Sequence, residues 1–527
     1  MTRVLTNNTQ LASARESTVG TLPGSPQWVK HEPNSYGRIG AEVTKTPRTP
    51  ISKSRQRRKG TPTALTSGVE FNEDLTMSSV ARFIESFVFA EFANLEFNLQ
   101  KTSGTLPPSA AATTNLFTVD SVTALLAGKI AYNATGAVTL LHGRGYTNSA
   151  NNGLHAVNAA VSASDTTIEV ASSLVTETPP TNAELVICGV RTTDNDLTLT
   201  VSGSTATLVS AAKISNWATL GVQVGQLIHI GSATTSGAVQ NAMKASVADD
   251  VYGFARVTSI SGATLNLDKL GTALASSTNN GTGVADIMFS QFARNVDVDA
   301  DSDDERYLER SHTFEISYPD LGGVGTDKYE YPEGNYANEM ALNFPLEDKA
   351  TIDFGFVGTD TPVPTTTRAT NASSAKDPLK TTALNTSSNI VSLTTDVVSA
   401  ASDVCFKSLT LRLGNGVTPE SCLGTFGASF VNAGNFEVSL SGQMLFTDSA
   451  ITSAVRNNTT ITFLAVVANA DGGVAFDIPA MTLGDGSKDF PVGQSVLVNI
   501  QGEAHKDDDL GTSLGVSFFP NVPFTAA

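Results

Sequence analysis

Residues 335–344 read NYANEMALNF, and their apolar and polar positions alternate with the two-residue period of a half-buried strand. Tyr336, Met340, Leu342 and Phe344 fall on one face, and Asn335, Ala337, Glu339, Ala341 and Asn343 on the other. The PLED of 345–348 supplies a turn. A second strand follows, with Ile352, Phe354 and Phe356 opposite Thr351, Asp353 and Gly355. The pattern predicts a hairpin with one greasy face and one small, polar, acidic face suited to lining water. Around residue 436 the same two-faced pattern returns. Phe436, Val438, Leu440 and Met444 alternate there with Asn435, Glu437, Ser439, Ser441 and Gln443. Further strands are predicted at 409–413, 461–467, 474–478, 496–500 and 514–519.

One helix is predicted. Thr76 is placed to cap it, Leu75 and Val80 stand at staple positions, and Val80, Phe83, Ile84, Phe87 and Val88 recur at helical spacing. Between about 106 and 290 the texture changes to Thr, Ser, Ala and Gly, with short strands at 166–170, 185–190, 197–201 and 226–230. Two pieces there share a pattern of glycine-led strand, turn and second strand: 151–157 with 165–170, and 251–257 with 262–267. They predict one or two small β modules. Residues 359–402 are Thr-, Ser- and Asn-rich, too polar for a core and long enough to reach outward.

The hairpin of 329–358, the closing SFFPNVPF (517–524) and the early DLTMSSVARFIESF (74–87) resemble the tail tube proteins of long-tailed bacteriophages. The resemblance is clearest outside residues 110–290. It implies a mainly β, sandwich or barrel subunit with one helix flanking the sheet. Hexameric rings of it would stack into a conduit for DNA, with arms and long loops reaching the next ring. The implied partners are other copies, a tape measure protein, a tail terminator and passing DNA. The implied location is the virion tail after synthesis in the host cytoplasm. The expected organisation is an extended basic arm over 1–70, the start of the tube domain with its helix over 71–108, an inserted exterior β region over 109–290, and the tube core over 291–527. A bulky exterior region leaves little room for a sheath, which favours a non-contractile tail.

Charge sharpens this picture. The chain carries −18 overall, yet its first 60 residues hold eleven Lys and Arg against three Glu, so the remainder carries −26. A basic arm on an acidic body is suited to docking on a neighbouring copy, and Lys53, Arg55, Arg57, Arg58 and Lys59 are the residues expected to do so. Plain solvation of that run is one alternative, and binding of nucleic acid is the other, against which stand its shortness, its lack of aromatics and the acidity of the body. If the polar faces line a channel, Asn335, Glu339, Asn343, Asp353, Glu437 and Gln443 are expected to face it, and their carboxylates would repel DNA. The other arrangement open to these faces is the outside of a sandwich.

Candidate chemistry changes little. GTSLG at 511–515 fits a nucleophile elbow, but a strand follows it and no histidine comes after Ser513. GGVGTDK at 322–328 lacks the GK[ST] of a phosphate loop and reads as a hairpin turn. The acidic run of 297–305 places Ser302 and Leu308 where a calcium loop needs Gly and Glu, so it reads as a linker. The six histidines show no ligand spacing, and Cys188, Cys405 and Cys422 suggest buried thiols rather than a disulfide or zinc site. No catalytic, metal or cofactor residues are predicted, and the expectation is not an enzyme. MTRVLTNNTQ lacks a signal peptide's apolar core, and no apolar run approaches the ~20 residues of a membrane span. The alternatives are another β-rich virion protein (capsid, decoration or fibre) and a surface-binding β module. Two Trp and nine Tyr leave that last class few platforms for sugars.

Overall fold

The alternating segments fold as strands because burying every second side chain satisfies the apolar face while the backbone bonds laterally. The computed structural model describes residues 4–525 except 25, 52, 54–55, 100–107, 120–121, 134–135, 245–248, 271, 273, 278–282, 301–305, 321–325, 380, 396–404 and 447–448. It is mainly β, with 49% of residues in strands and 8% in helices. The strands of the body are labelled β1 (Gln10–Arg15), β2 (Val29–His31), β3 (Pro33–Arg48), β4 (Arg58–Asp74), β5 (Ser311–Tyr318), β6 (Asn335–Phe344), β7 (Thr351–Gly358), β8 (Ile390–Thr395), β9 (Phe406–Gly414), β10 (Glu437–Leu445), β11 (Ile461–Asn469), β12 (Gly472–Asp485), β13 (Leu497–Ala504) and β14 (Gly515–Phe519).

Two layers make the body. The first is antiparallel in the order β3, β4, β7, β6, β9, β10, β13 and the end of β12. Long strand β12 then leaves that layer, and its first half pairs with β11 and β14 to form the second. Between the layers lies a core that includes Phe71, Met340, Leu342, Phe354, Phe356, Leu411, Leu440, Phe463, Phe476 and Phe518. The sheet shows no barrel closure among the described residues, which corrects the barrel half of the expectation.

Helix α1 (Met77–Phe87) inserts its stripe into this core, with Val80, Phe83, Ile84 and Phe87 buried. Phe83 meets Phe354 and Phe356 edge-on at 5.1 and 5.2 Å. Thr76 caps it as expected: its hydroxyl accepts from Ser79 N at 3.0 Å, while Ser79 Oγ accepts from Thr76 N at 2.9 Å. Two further helices were not predicted, α2 (Ala124–Lys129) and α3 (Ala450–Asn457). Both are too short to show a periodic stripe.

The segment expected as an extended arm is paired. β1 joins β5 and β2, while β3 and β4 form a long hairpin that continues past the layer as an exposed ribbon. Its prolines sit where a ladder tolerates them: Pro33 begins β3, Pro47 falls within a register shift, and Pro62 borders another. The loop expected to reach outward is instead held to its own body over its described part. Leu384 is buried and donates its N–H to Leu75 O at 2.9 Å, β8 pairs with β11, and Trp28 Nε1 donates to Thr370 O at 3.1 Å. Of the thiols only Cys188 is buried; Cys405 and Cys422 are exposed.

The intervening region has one apolar core running from Phe97 to Phe289 under a ten-stranded sheet. The two pieces expected to be similar differ in how far they pair. Gly253–Ser261 and Thr264–Asp268 form a full hairpin, whereas 151–157 and 165–170 meet only at the antiparallel bridge of Val157 with Val170, and their strands Gly153–Ala156 and Thr167–Glu169 belong to different sheets. The back of the ten-stranded sheet covers the outer side of the second body layer. Leu140, Leu227, Phe254 and Met288 pack there on Leu464, Val466, Ala475 and Phe519. Across this seam the Arg256 guanidinium donates to both oxygens of Asp477, Nε and Nη2 each at 2.6 Å, and both residues are buried. No helix among the described residues is long and apolar enough to cross a membrane.

Candidate functional site

The side of the first layer turned away from the core is a continuous polar face. Alternation delivers Glu70 and Asn72 from β4, Asp353 from β7, Glu339 and Asn343 from β6, Thr410 and Arg412 from β9, Glu437, Ser439, Ser441 and Gln443 from β10, and Gln501 and Glu503 from β13. In the middle of this face is a groove of about 750 Å³, lined among others by Asn72, Glu339, Asp353, Arg412 and Gln501.

Five of the six residues predicted to share a face do so; Asn335 does not. Ala337 pairs with Phe356 and Glu339 with Gly355, so Asn338 is an extra residue and the alternation changes sides there. Before the bulge, Asn335 and Ala337 point inward, and Asn335 Nδ2 donates to His312 O at 3.0 Å. Tyr336 correspondingly leaves the main core and packs with Phe89, Val417 and Val431. An alternation rule carries no information about a bulge until the partner strand is known.

Hydrogen bonds across the strands hold the polar face. Asp353 accepts from Asn72 Nδ2 and Asn343 Nδ2, each at 2.7 Å, and Asn343 Oδ1 accepts from Thr410 Oγ1 at 3.3 Å. Gln443 Nε2 donates to Asn499 Oδ1 at 2.8 Å. Arg412 donates to Glu339 Oε1 from Nε at 2.8 Å and again from Nη2. Sequence reasoning missed Arg412, Glu70 and Glu503. The signal for Arg412 was present, since Leu409, Leu411 and Leu413 alternate with Thr410 and Arg412.

The two ends of the layer differ. At one end, where β6 turns into β7 and β10 leaves the sheet, Leu346, Phe446, Phe490 and Val492 are exposed beside the exposed acids Glu347, Asp348 and Asp489. At the other, the hairpin of Thr418–Glu420 and Phe430–Asn432 exposes Leu423, Phe426 and Phe430, and the β3–β4 ribbon projects beyond the layer by about 25 Å for its eight or so residues per strand. Lys53, Arg57, Arg58 and Lys59 lie at the ribbon's tip; Arg55 falls outside the described residues.

Tertiary structure also assembles a Ser–His–carboxylate set that spacing had not revealed. His31 Nε2 lies 2.8 Å from Ser13 Oγ, and its Nδ1 lies 3.5 Å from Glu73 Oε1 and 2.7 Å from Arg82 Nη1. Arg82 can only donate, so Nδ1 accepts and Nε2–H donates to the serine. That is the reverse of what a general base needs. Ser13, His31 and Glu73 are all buried, which leaves a substrate no approach. Among the described residues no three His, Cys, Asp or Glu side chains gather as a metal site. Gly511–Gly515 runs into β14 rather than a helix, as expected.

A family model described as phage tail tube protein matches residues 6–504. No curated protein matches the chain.

Proposed function

As this chain belongs to the phage tail tube protein family, and is thereby a structural protein of the virion tail that assembles with copies of itself, we propose that it forms stacked hexameric rings whose polar faces line a channel for DNA. The observation that carries this reading is the continuous polar face across β4, β7, β6, β9, β10 and β13. A face that wide has no apolar demand to satisfy within the subunit.

Three further features support it. Among the described residues β3 pairs on one side only, so its other edge can extend into a neighbouring copy and close a ring no single copy could close. The two ends of the layer are unlike, and unlike ends that fit each other build open stacks rather than closed dimers. The basic ribbon tip on one end would meet Glu347, Asp348 and Asp489 on the facing end of the next ring. Lumen-facing Glu339, Asp353, Glu437, Asn343 and Gln443 would present DNA with a surface that repels phosphate rather than gripping it. The region of residues 97–289 sits on the opposite side of the body from the polar face, where it would decorate the exterior and crowd out a sheath, in keeping with a non-contractile tail.

Negative-stain electron microscopy of the purified, concentrated protein tests the proposal. Rings or tubes with a stain-filled channel are expected. A monodisperse monomer at every concentration, with the ribbon tip intact, would overturn it.

A further inference from the structure

The polar face contains a cation that its acidic character does not explain. Arg412 stands in the cross-strand row Asn72, Asp353, Ala341, Arg412, Ser439 and Glu503, read from the registers of neighbouring strands. Its direct neighbours in that row, Ala341 and Ser439, are small, so the guanidinium is not walled in. Its side chain is 58% exposed and lines the groove. An arginine so placed is the group best fitted to chelate a phosphate, because its planar fork matches two anionic oxygens.

What occupies that fork is Glu339, one row away on β6, which accepts from both Nε and Nη2. Glu437 stands in the same row as Glu339, across Gly414 on the other neighbouring strand, but the hydrogen bonds of the Arg412 guanidinium go to Glu339 and not to it. Asp353 lies two strands from Arg412, roughly 10 Å away, and its oxygens are taken by Asn72 and Asn343. Glu503 also lies two strands away on the other side.

We infer that Glu339 acts as a mask: it occupies Arg412 so that the one guanidinium of the groove does not hold passing nucleic acid. This deepens the conduit reading and rests on it. It assigns Glu339 a different role from Asp353 and Glu437, which act only through their charge. Removing Glu339 should therefore create phosphate affinity out of proportion to the charge lost.

The test compares full-length variants for binding to a labelled DNA duplex of about 20 base pairs between roughly 50 and 200 mM salt, where each phosphate contact adds about 0.9 to the log–log salt slope. Glu339→Gln is expected to bind more tightly than the parent and to steepen the slope by about 0.9 for each Arg412 engaged. Glu339→Gln with Arg412→Gln should return to the parent, and Asp353→Asn, which loses the same charge but leaves Arg412 occupied, should stay near it. The ribbon tip contributes equally to every variant and cancels. If Glu339→Gln binds no more tightly, or if Asp353→Asn gains as much, the masking role is wrong. The comparison is made on the free chain, so it fails or succeeds apart from ring formation, whose own failure would appear in the micrographs.

Discussion

Asp477 shows how much a single residue can decide here. From the first half of β12 its carboxylate accepts from two nitrogens of Arg256 across the seam, where both side chains are buried. Truncating Asp477 leaves the buried Arg256 guanidinium with only the longer contact from Nη1 to Asp268 Oδ2 at 3.4 Å, in an otherwise apolar setting. Asp477→Ala is therefore expected to lower unfolding free energy by about 3–5 kcal/mol, measured by chemical denaturation. Replacing both, Arg256→Met with Asp477→Leu, should recover most of that loss, since the apolar seam of Phe254, Phe519 and Leu464 can accept them. Nothing in the sequence paired residues 221 positions apart. Asn335 makes the complementary point: its polarity was plain, but the bulge at Asn338 turned it inward.

At the scale of elements, the local signals that succeeded were those satisfied within a few residues. The cap of α1 is complete within Thr76 to Ser79, and the strand at 437–445 needs only its own alternation. The ribbon failed as a prediction because its evidence is a partner. β3 and β4 are rich in Gly, Pro and Thr with little apolar periodicity, and what makes them strands is their mutual pairing from Pro33–Glu73 to Arg48–Arg58. A two-stranded ribbon gains little stability alone, so its length is better explained by a partner outside the subunit. Changing Lys53, Arg57, Arg58 and Lys59 to Glu is accordingly expected to leave the melting temperature within a degree or two while abolishing stacking. Calorimetry and electron microscopy on the same sample check both halves, and unchanged tubes would rule out the tip as a ring-to-ring contact.

For the whole molecule, the layers run from the polar face through the core and α1 to the second body layer, the seam and the ten-stranded sheet. Such depth buries titratable groups. Burial holds the pKa of His142 and His312 at about 3 and of His229 at about 4, well below the ordinary value near 6.5. A base depressed in the folded state binds fewer protons there than when unfolded. Its contribution is thus fully present above the unfolded pKa near 6.5 and lost as pH falls below it, continuing down to the folded values. Each histidine should cost on the order of 1 kcal/mol per pH unit in that window. The expected outcome is a melting temperature that declines steadily from pH 6.5 to pH 4. A flat profile over that range would show that these side chains are not held neutral.

The amino-acid sequence by itself determined the two-faced strands of the body from residue 339 onward, most of the side chains those strands present together, the capped helix, and the contrast between a basic beginning and an acidic remainder. These follow from short-range regularities: a two-residue pleat, a 3.6-residue turn and the sum of charges. Tertiary structure alone decided that Asn335 faces inward, that the basic segment is a ribbon, that Arg412 meets Glu339, that Arg256 meets Asp477 and that Ser13, His31 and Glu73 converge without chemistry. Each of these depends on register between strands far apart in the chain, and register is set by the packing of the whole core rather than by any local pattern.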